Sequence, residues 1–194
     1  KIMAVQSPQF FFAQDRSVAD EAYAGDVVGI PNHGSLRIGD TLTEGEDLTF
    51  LGIPSFAPEI LRRVRLDDAI KAGKLKKALQ ELAEEGVVQL FTPVDGSPPM
   101  VGVIGALQLD VLADRLLNEY GLATAFEMSS YEMVRWISAE TRAAIDQFVE
   151  KNRSSIAHDL DGAPVFLAQS GFMLNWTQER APEITFANIK KTMQ

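Results

Sequence analysis

The sequence predicts a mixed fold. A partial β-barrel occupies residues 1–56, and an α+β domain occupies 57–194, with a ferredoxin-like βαββαβ core and a further α+β unit. Three observations predict it. Short apolar runs separated by glycine turns fill the first 56 residues. Helix and strand periods then follow in the order strand, helix, strand, strand, helix, strand over about 59–128. The same kinds of element return over about 133–187, without a detectable sequence repeat.

The barrel part begins at Lys1-Ile2-Met3-Ala4-Val5, which has strand character and no initiator Met. Gln9 to Ala13 is a compact aromatic run, and Asp15 to Asp20 reads as a polar loop. Ala24-Gly25-Asp26 is a turn feeding a short buried strand, Val27 to Ile30. Asn32-His33-Gly34-Ser35 is a second turn, in which Gly34 is free to take positive φ. Leu36 to Leu42 and Leu48 to Ile53 are read as two further strands. About four strands are too few to close a barrel. The expectation is therefore a piece of a longer protein whose barrel starts upstream.

Pro54 and Pro58 make a stiff connector. Glu59 to Leu66 is then a strand, with Ile60, Val64 and Leu66 on one face, Arg63 and Arg65 on the other, and Arg62 on the apolar side. Leu75, Ala78, Leu79 and Leu82 form the i, i+3, i+4, i+7 stripe of a helix over Lys74–Glu85. Val87 to Thr92 and Met100 to Ile104 are strands flanking the turn cluster Asp95-Gly96-Ser97-Pro98-Pro99. Gly105 opens a second helix, striped by Leu109, Leu112, Ala113, Leu116 and Tyr120, and Gly121 is its left-handed C-cap. Leu122 to Glu127 closes the unit as a strand.

In the second unit, Met133 to Ser138 is a strand and Ser138 N-caps a helix over Ala139–Asn152. Asp159-Leu160-Asp161-Gly162 is a turn, Pro164 to Ala168 a strand, and Phe172 to Arg180 a helix stopped before Pro182. Glu183 to Phe186 is a last short strand. Ile189 to Gln194 reads as a frayed polar tail.

Composition narrows the function. The chain has 194 residues, 46% hydrophobic, with net charge −9 and no cysteine. The acidic balance disfavours a sequence-reading DNA binder, while leaving RNA partners open through local patches. There is no disulfide framework and no thiolate zinc site. No apolar run approaches the ~20 residues of a membrane span, so the expected location is the cytoplasm.

Catalytic patterns are missing. Neither Gly-x-x-x-x-Gly-Lys nor Gly-x-Gly-x-x-Gly occurs, so no phosphate cradle is expected. His33 and His158 are the only histidines, and neither has a second histidine at i+3 or i+4. Asp159 and Asp161 in a glycine turn are read as a turn rather than a carboxylate pair. No catalytic, cofactor or metal residue is assigned.

The basic residues carry more. Arg62, Arg63 and Arg65 cluster on one strand, and Lys74, Lys76 and Lys77 open the following helix. Glu81, Glu84 and Glu85 lie towards that helix's C-terminus, opposite to what the macrodipole favours. A broken local rule often marks function, so this lysine end is a candidate surface for phosphate or acidic protein. The competing explanation is that solvated charges are placed loosely and contribute little. His33 and Arg37 form a second, weaker candidate beside Gly34. Trp176 with Arg180 is read as core packing, with stacking as the alternative.

At this point the residues resemble known families. Ala22 to Ile30, Asn32-His33-Gly34 and Ile38-Gly39-Asp40-Thr41-Leu42 resemble the second, β-barrel domain of translational GTPases. Leu75 to Glu85, Gly102 to Leu109 and Asp114-Arg115-Leu116 look like the third domain of elongation-factor-G-like proteins. Phe50 to Glu59 and Arg62 to Leu66 are similar to the bacterial peptide chain release factor 3 family, and the likeness continues through Ala168 and Gln178-Glu179-Arg180.

The resemblance implies a ribosome-dependent GTPase that removes class I release factors after peptide release. GTP or GDP with Mg would sit in a domain upstream, and none of its binding residues can be carried onto this chain. The implied partners are ribosomal RNA, small-subunit protein S12 and, functionally, class I release factors, with no DNA and no membrane. Candidate ribosome contacts are Arg62, Arg63, Arg65, Lys74, Lys76 and Lys77, with His33 and Arg37. Two rivals are weighed beside this: another elongation-factor-G-like GTPase, and a stand-alone ferredoxin-like module binding a small regulatory ligand.

Overall fold

The computed structural model describes residues 4, 7–12, 15–32, 36, 38–48, 50 and 54–190. The chain divides into two compact units, Lys1–Asp40 and Thr41–Gln194.

In the first unit, β1 (Gln9–Phe12) pairs antiparallel with β2 (Asp15–Val18), Gln9 opposite Val18. The segment read as a polar loop at Asp15 is therefore a strand. A two-stranded ribbon with Ser17 and Val18 exposed imposes no apolar alternation, so composition gave no signal. The expected strand at Val27–Ile30 is reduced to one bridge, in which Gln9 and Gly29 exchange backbone hydrogen bonds of 2.9 and 2.8 Å. Val27 is exposed rather than buried. The third expected strand is interrupted at Ile38–Gly39, a turn with Gly39 at φ 92°. The described residues contain no closed barrel. His33, Gly34, Ser35 and Arg37 lie outside the described residues, as do Thr49 and Leu51–Ile53 of the fourth expected strand.

The second unit is built on one eight-stranded antiparallel sheet. Its strands are β4 (Ile60–Leu66), β5 (Gln89–Pro93), β6 (Met100–Val103), β7 (Thr124–Met128), β8 (Met133–Ser138), β9 (Ile156–His158), β10 (Pro164–Ala168) and β11 (Thr185–Ala187). The order across the sheet is β11-β8-β10-β9-β5-β6-β4-β7. The helices are α1 (Ala72–Glu84), α2 (Leu107–Asn118), α3 (Arg142–Lys151) and α4 (Gly171–Arg180).

Each half of the sheet has the same element order and the same spatial order. The first strand (β4 or β8) lies beside the outer edge, the last (β7 or β11) forms that edge, and the second (β5 or β9) meets its counterpart at the seam. Thr92 pairs with His158 and Pro93 with Ala157 across that seam, antiparallel as a two-fold relation requires. The repetition lies in topology, where no sequence repeat was visible.

Strand alternation sorts the core into faces. Val64, Leu90, Val101 and Val103 pack with Leu75, Leu79 and Leu82 of α1 and Leu112 and Leu116 of α2. Ile137, Ile156 and Phe166 pack with Phe148 of α3 and Leu174 of α4 on the same side of the sheet. Leu79 and Leu82 are fully buried, contributing about 1.5–3 kcal/mol each. Phe148, Phe166 and Phe186 form a triad with centroids 5.6–5.9 Å apart. The opposite face carries Leu61, Phe91, Met100, Val134, Trp136, Val165 and Leu167.

The connector and two loops of the sheet cover that opposite face. Ala57 and Tyr131 pack against it, and a Cβ built on Gly102 would lie 2.5 Å from Pro58 Cγ. The connector is tied down by a two-stranded sheet of β3 (Ser55–Phe56) and β12 (Ile189–Lys190). Residues 189 and 190 are thus a strand and not part of a frayed tail.

Several boundaries move for local reasons. Ser138 stays in β8 because it pairs with Thr185 of β11, so α3 starts later, capped by Thr141, whose Oγ1 accepts from Ala144 N at 3.3 Å. Gly121 does end the α2 segment, at φ 62°, with Leu122 N donating to Leu116 O at 2.9 Å.

Candidate functional site

The strand and helix that carry the basic residues are adjacent in sequence but present them in different directions. On β4, Ile60, Val64 and Leu66 face α1 and α2. Arg62 shares that side and donates Nη1–H to Leu61 O at 2.9 Å. Arg63 and Arg65 lie on the other side of the sheet. Arg63 is half-buried, and its Nε has no hydrogen-bond partner among the described residues. Arg65 is exposed and paired with Glu127 at 3.2 Å and Asp67 at 3.5 Å. The sheet therefore separates Arg63 and Arg65 from the lysines of α1.

Lys74, Lys76 and Lys77 are all exposed. The buried stripe of α1 is centred on Leu75, Ala78, Leu79 and Leu82, which leaves Lys74 and Lys76 on its two flanks and Lys77 on the face opposite the core. Lys77 reaches Glu81 at 3.6 Å, the i, i+4 pair the sequence suggests. Lys71 reaches Asp68 at 3.7 Å. Lys74 and Lys76 form no ion pair with any described residue. The first turn of α1 holds no acidic residue, so Lys74, within that turn, sits against the positive end of the helix dipole, and Lys76 follows in the next turn.

The acidic end of the same helix has a partner that sequence spacing did not reveal. Arg115 of α2 grips Glu119 through Nε and Nη2, at 2.6 and 2.7 Å, and reaches Glu85 through Nη1 at 2.5 Å. Those hydrogen bonds, Glu119 first, hold the Arg115 guanidinium above its ordinary range and the Glu119 carboxyl below its own. Tyr120 donates to Glu81 at 2.9 Å; burial, then that bond, pushes its hydroxyl up to about 12. Glu81 and Glu85 are thus explained by packing against α2. The lysine end is not.

A second polar centre lies at the turn between β9 and β10. Asp159, nearly buried, accepts from Trp136 Nε1 at 2.9 Å, Ala163 N at 2.8 Å and Asp161 N at 3.0 Å. Lys190 closes it, 2.6 Å from Asp159 and 2.5 Å from Asp161. Burial lowers the Lys190 ammonium's pKa, but the two carboxylates raise it more, and it stands above its ordinary value. The Asp159 turn is a turn, as read, with Gly162 N donating to Asp159 O at 3.0 Å. Its role as a clasp for β12 was missed, since nothing local links residues 159 and 190.

Trp176 differs from its expected core role. It is 43% exposed, while Leu174 and Thr177 are buried, and the Arg180 guanidinium stacks 4.1 Å from its ring. His158 is exposed on β9. Among the described residues no group of acids and histidines could hold a metal ion. No described helix is long and apolar enough to cross a membrane.

Comparison with family models adds the decisive observation. A model described as "Class II release factor RF3, C-terminal domain" matches residues 50–178. The chain belongs to that release factor family. A second model, "Elongation factor G domain 2", matches residues 1–45 just ahead of it. In this RF3-family chain the elongation factor G domain 2 match holds β1 and β2, and the RF3 C-terminal match runs from the connector into α4. β11, β12 and the Lys190 clasp lie beyond the matched residues.

Proposed function

We propose that this chain is the ribosome-docking and coupling part of a GTP-dependent termination factor that recycles class I release factors after peptide release. The observation that carries this reading is the order of the two family matches, an elongation factor G domain 2 followed by an RF3 C-terminal domain. The sheet topology supports reading each half of the second unit as a ferredoxin-like βαββαβ module. GTP and Mg belong, on this reading, to a nucleotide-binding domain outside the chain. The partners are small-subunit ribosomal RNA and protein S12, in the cytoplasm.

Within the basic residues, Lys74 and Lys76 are the favoured RNA contacts. They are exposed and without an ion pair among the described residues, and Lys74 is uncompensated at a positive helix end, so they meet phosphate at little desolvation cost. Arg65 would first have to leave Glu127 and Asp67. The experiment is co-sedimentation of the full-length factor with ribosomes. Lys74→Glu with Lys76→Glu is expected to weaken binding while Arg65→Ala changes it little. Wild-type binding by the double variant removes the lysine face from the interface.

A further inference from the structure

A groove of about 590 Å³ opens on the connector, within the usual range of about 300–1,000 Å³ for binding pockets. Ala57 and Pro58 line it, with Met133 and Asn188. Phe56 and Ile104 also line it and stand 52% and 62% exposed. Single exposed apolar residues are ordinary, but these two stand together at one concavity, where a partner can cover both.

The charges at this groove are unbalanced. Glu59 and Glu132 both line it, both are exposed, and neither forms an ion pair with a described residue. Arg135 also lines it and donates Nη1–H to Val134 O at 2.7 Å, so the lining sets two carboxylates against one guanidinium and stays net negative. Two free carboxylates repel nucleic-acid phosphate and attract lysine or arginine. The apolar residues need a side chain to cover them, which a simple cation does not supply.

The wall is also fixed in advance. Ala57 N donates to Asn188 O at 2.8 Å, and Gln89 Nε2 donates to Phe56 O at 2.7 Å. The Lys190–Asp159 clasp anchors β12 behind that wall. A preformed wall lowers the ordering cost of binding a short segment.

From these features we infer that the groove is a docking site for a protein segment carrying apolar side chains between lysines or arginines. Phe56, Ile104 and Met133 receive the apolar side chains, and Glu59 and Glu132 receive the cations. The occupant binds against the connector itself. This site is independent of the lysine face of α1, and each can fail without the other.

The test uses the ¹⁵N-labelled chain and a short peptide alternating lysine and leucine. Amide shifts are expected at Ala57, Ile104, Met133 and Asn188. Glu59→Lys with Glu132→Lys should weaken the peptide by about tenfold or more, with the rest of the spectrum unchanged. A peptide with serine in place of leucine should lose binding. Shifts centred elsewhere, or an affinity unmoved by the double charge reversal, overturn the site. Shifts of these same amides by a single-stranded uridine oligomer overturn the assignment to a protein segment. Should the reversed variant misfold, Ile104→Asp, at an exposed position, is the second variant, and wild-type affinity there refutes the site equally.

Discussion

Replacing Gly102 by alanine places a methyl group where Pro58 and Phe91 already are. Gly102 does not need glycine for its backbone, which lies outside the left-handed region. It needs glycine for space: the new Cβ would sit 2.5 Å from Pro58 Cγ and 2.8 Å from both Pro58 Cβ and Phe91 Cε2. Carbon atoms prefer about 3.5–4.0 Å, so the connector or the Phe91 ring must move by about 1 Å. Both are buried, Phe91 completely. Overpacking of this kind costs about 1–3 kcal/mol. For a domain of this size that lowers Tm by about 2–4 °C per kcal/mol. Calorimetry and urea titration read the loss directly. Adding Pro58→Ala removes the nearest carbon and should restore part of it, with a coupling energy of about 0.5–3 kcal/mol. A Gly102→Ala protein within about 0.5 kcal/mol of wild type, or a strictly additive double variant, refutes the placement of the connector on β6.

The clasp and the helix pair give two further expectations. Lys190→Met leaves Asp159 with Trp136 and two backbone amides but no cation; it should cost about 1–3 kcal/mol and speed hydrogen exchange at the Ala57 amide. Wild-type protection of Ala57 contradicts the clasp. Because the folded state raises Lys190 above 10.5, its stabilisation is complete below 10.5 and is lost as pH rises through the folded value. The stability gap between wild type and Lys190→Met should therefore hold from neutral pH to 10.5 and close above it; a gap persisting in strong alkali counts against the ion pair. Arg115→Met leaves Glu85 facing the negative end of α1, so Tm should fall at low salt and recover towards wild type at ~1 M salt. An equal loss at both salts points to packing instead.

Periodic elements were legible in the sequence because burial repeats locally. The α1 stripe of Leu75, Ala78, Leu79 and Leu82 is buried as its spacing required, and Gly121 ends its helix as a C-cap. What failed was set by distant partners. Ser138 caps well in isolation, yet pairing with Thr185 keeps it in a strand. Lys190 looked like a tail residue because Asp159, its partner, lies far away in sequence. The arginine–lysine cluster looked continuous because sequence proximity hides the sheet standing between Arg65 and Lys74. The apparent dipole error in α1 was half explained by Arg115, a residue of the next helix. Core packing is the favoured reading of Trp176 from sequence and stacking the alternative; the helix turns it outward beside Arg180.

The proposed docking role is tested most directly by the salt dependence of ribosome affinity. Each lysine that contacts a phosphate releases a counterion, so the slope of log K against log salt falls by about 0.7–0.9 per contact removed. Full-length factor carrying Lys74→Ala and Lys76→Ala is expected to bind ribosomes more weakly, with the slope reduced by about one for each lysine. Unchanged affinity together with an unchanged slope contradicts contact between this face and ribosomal RNA.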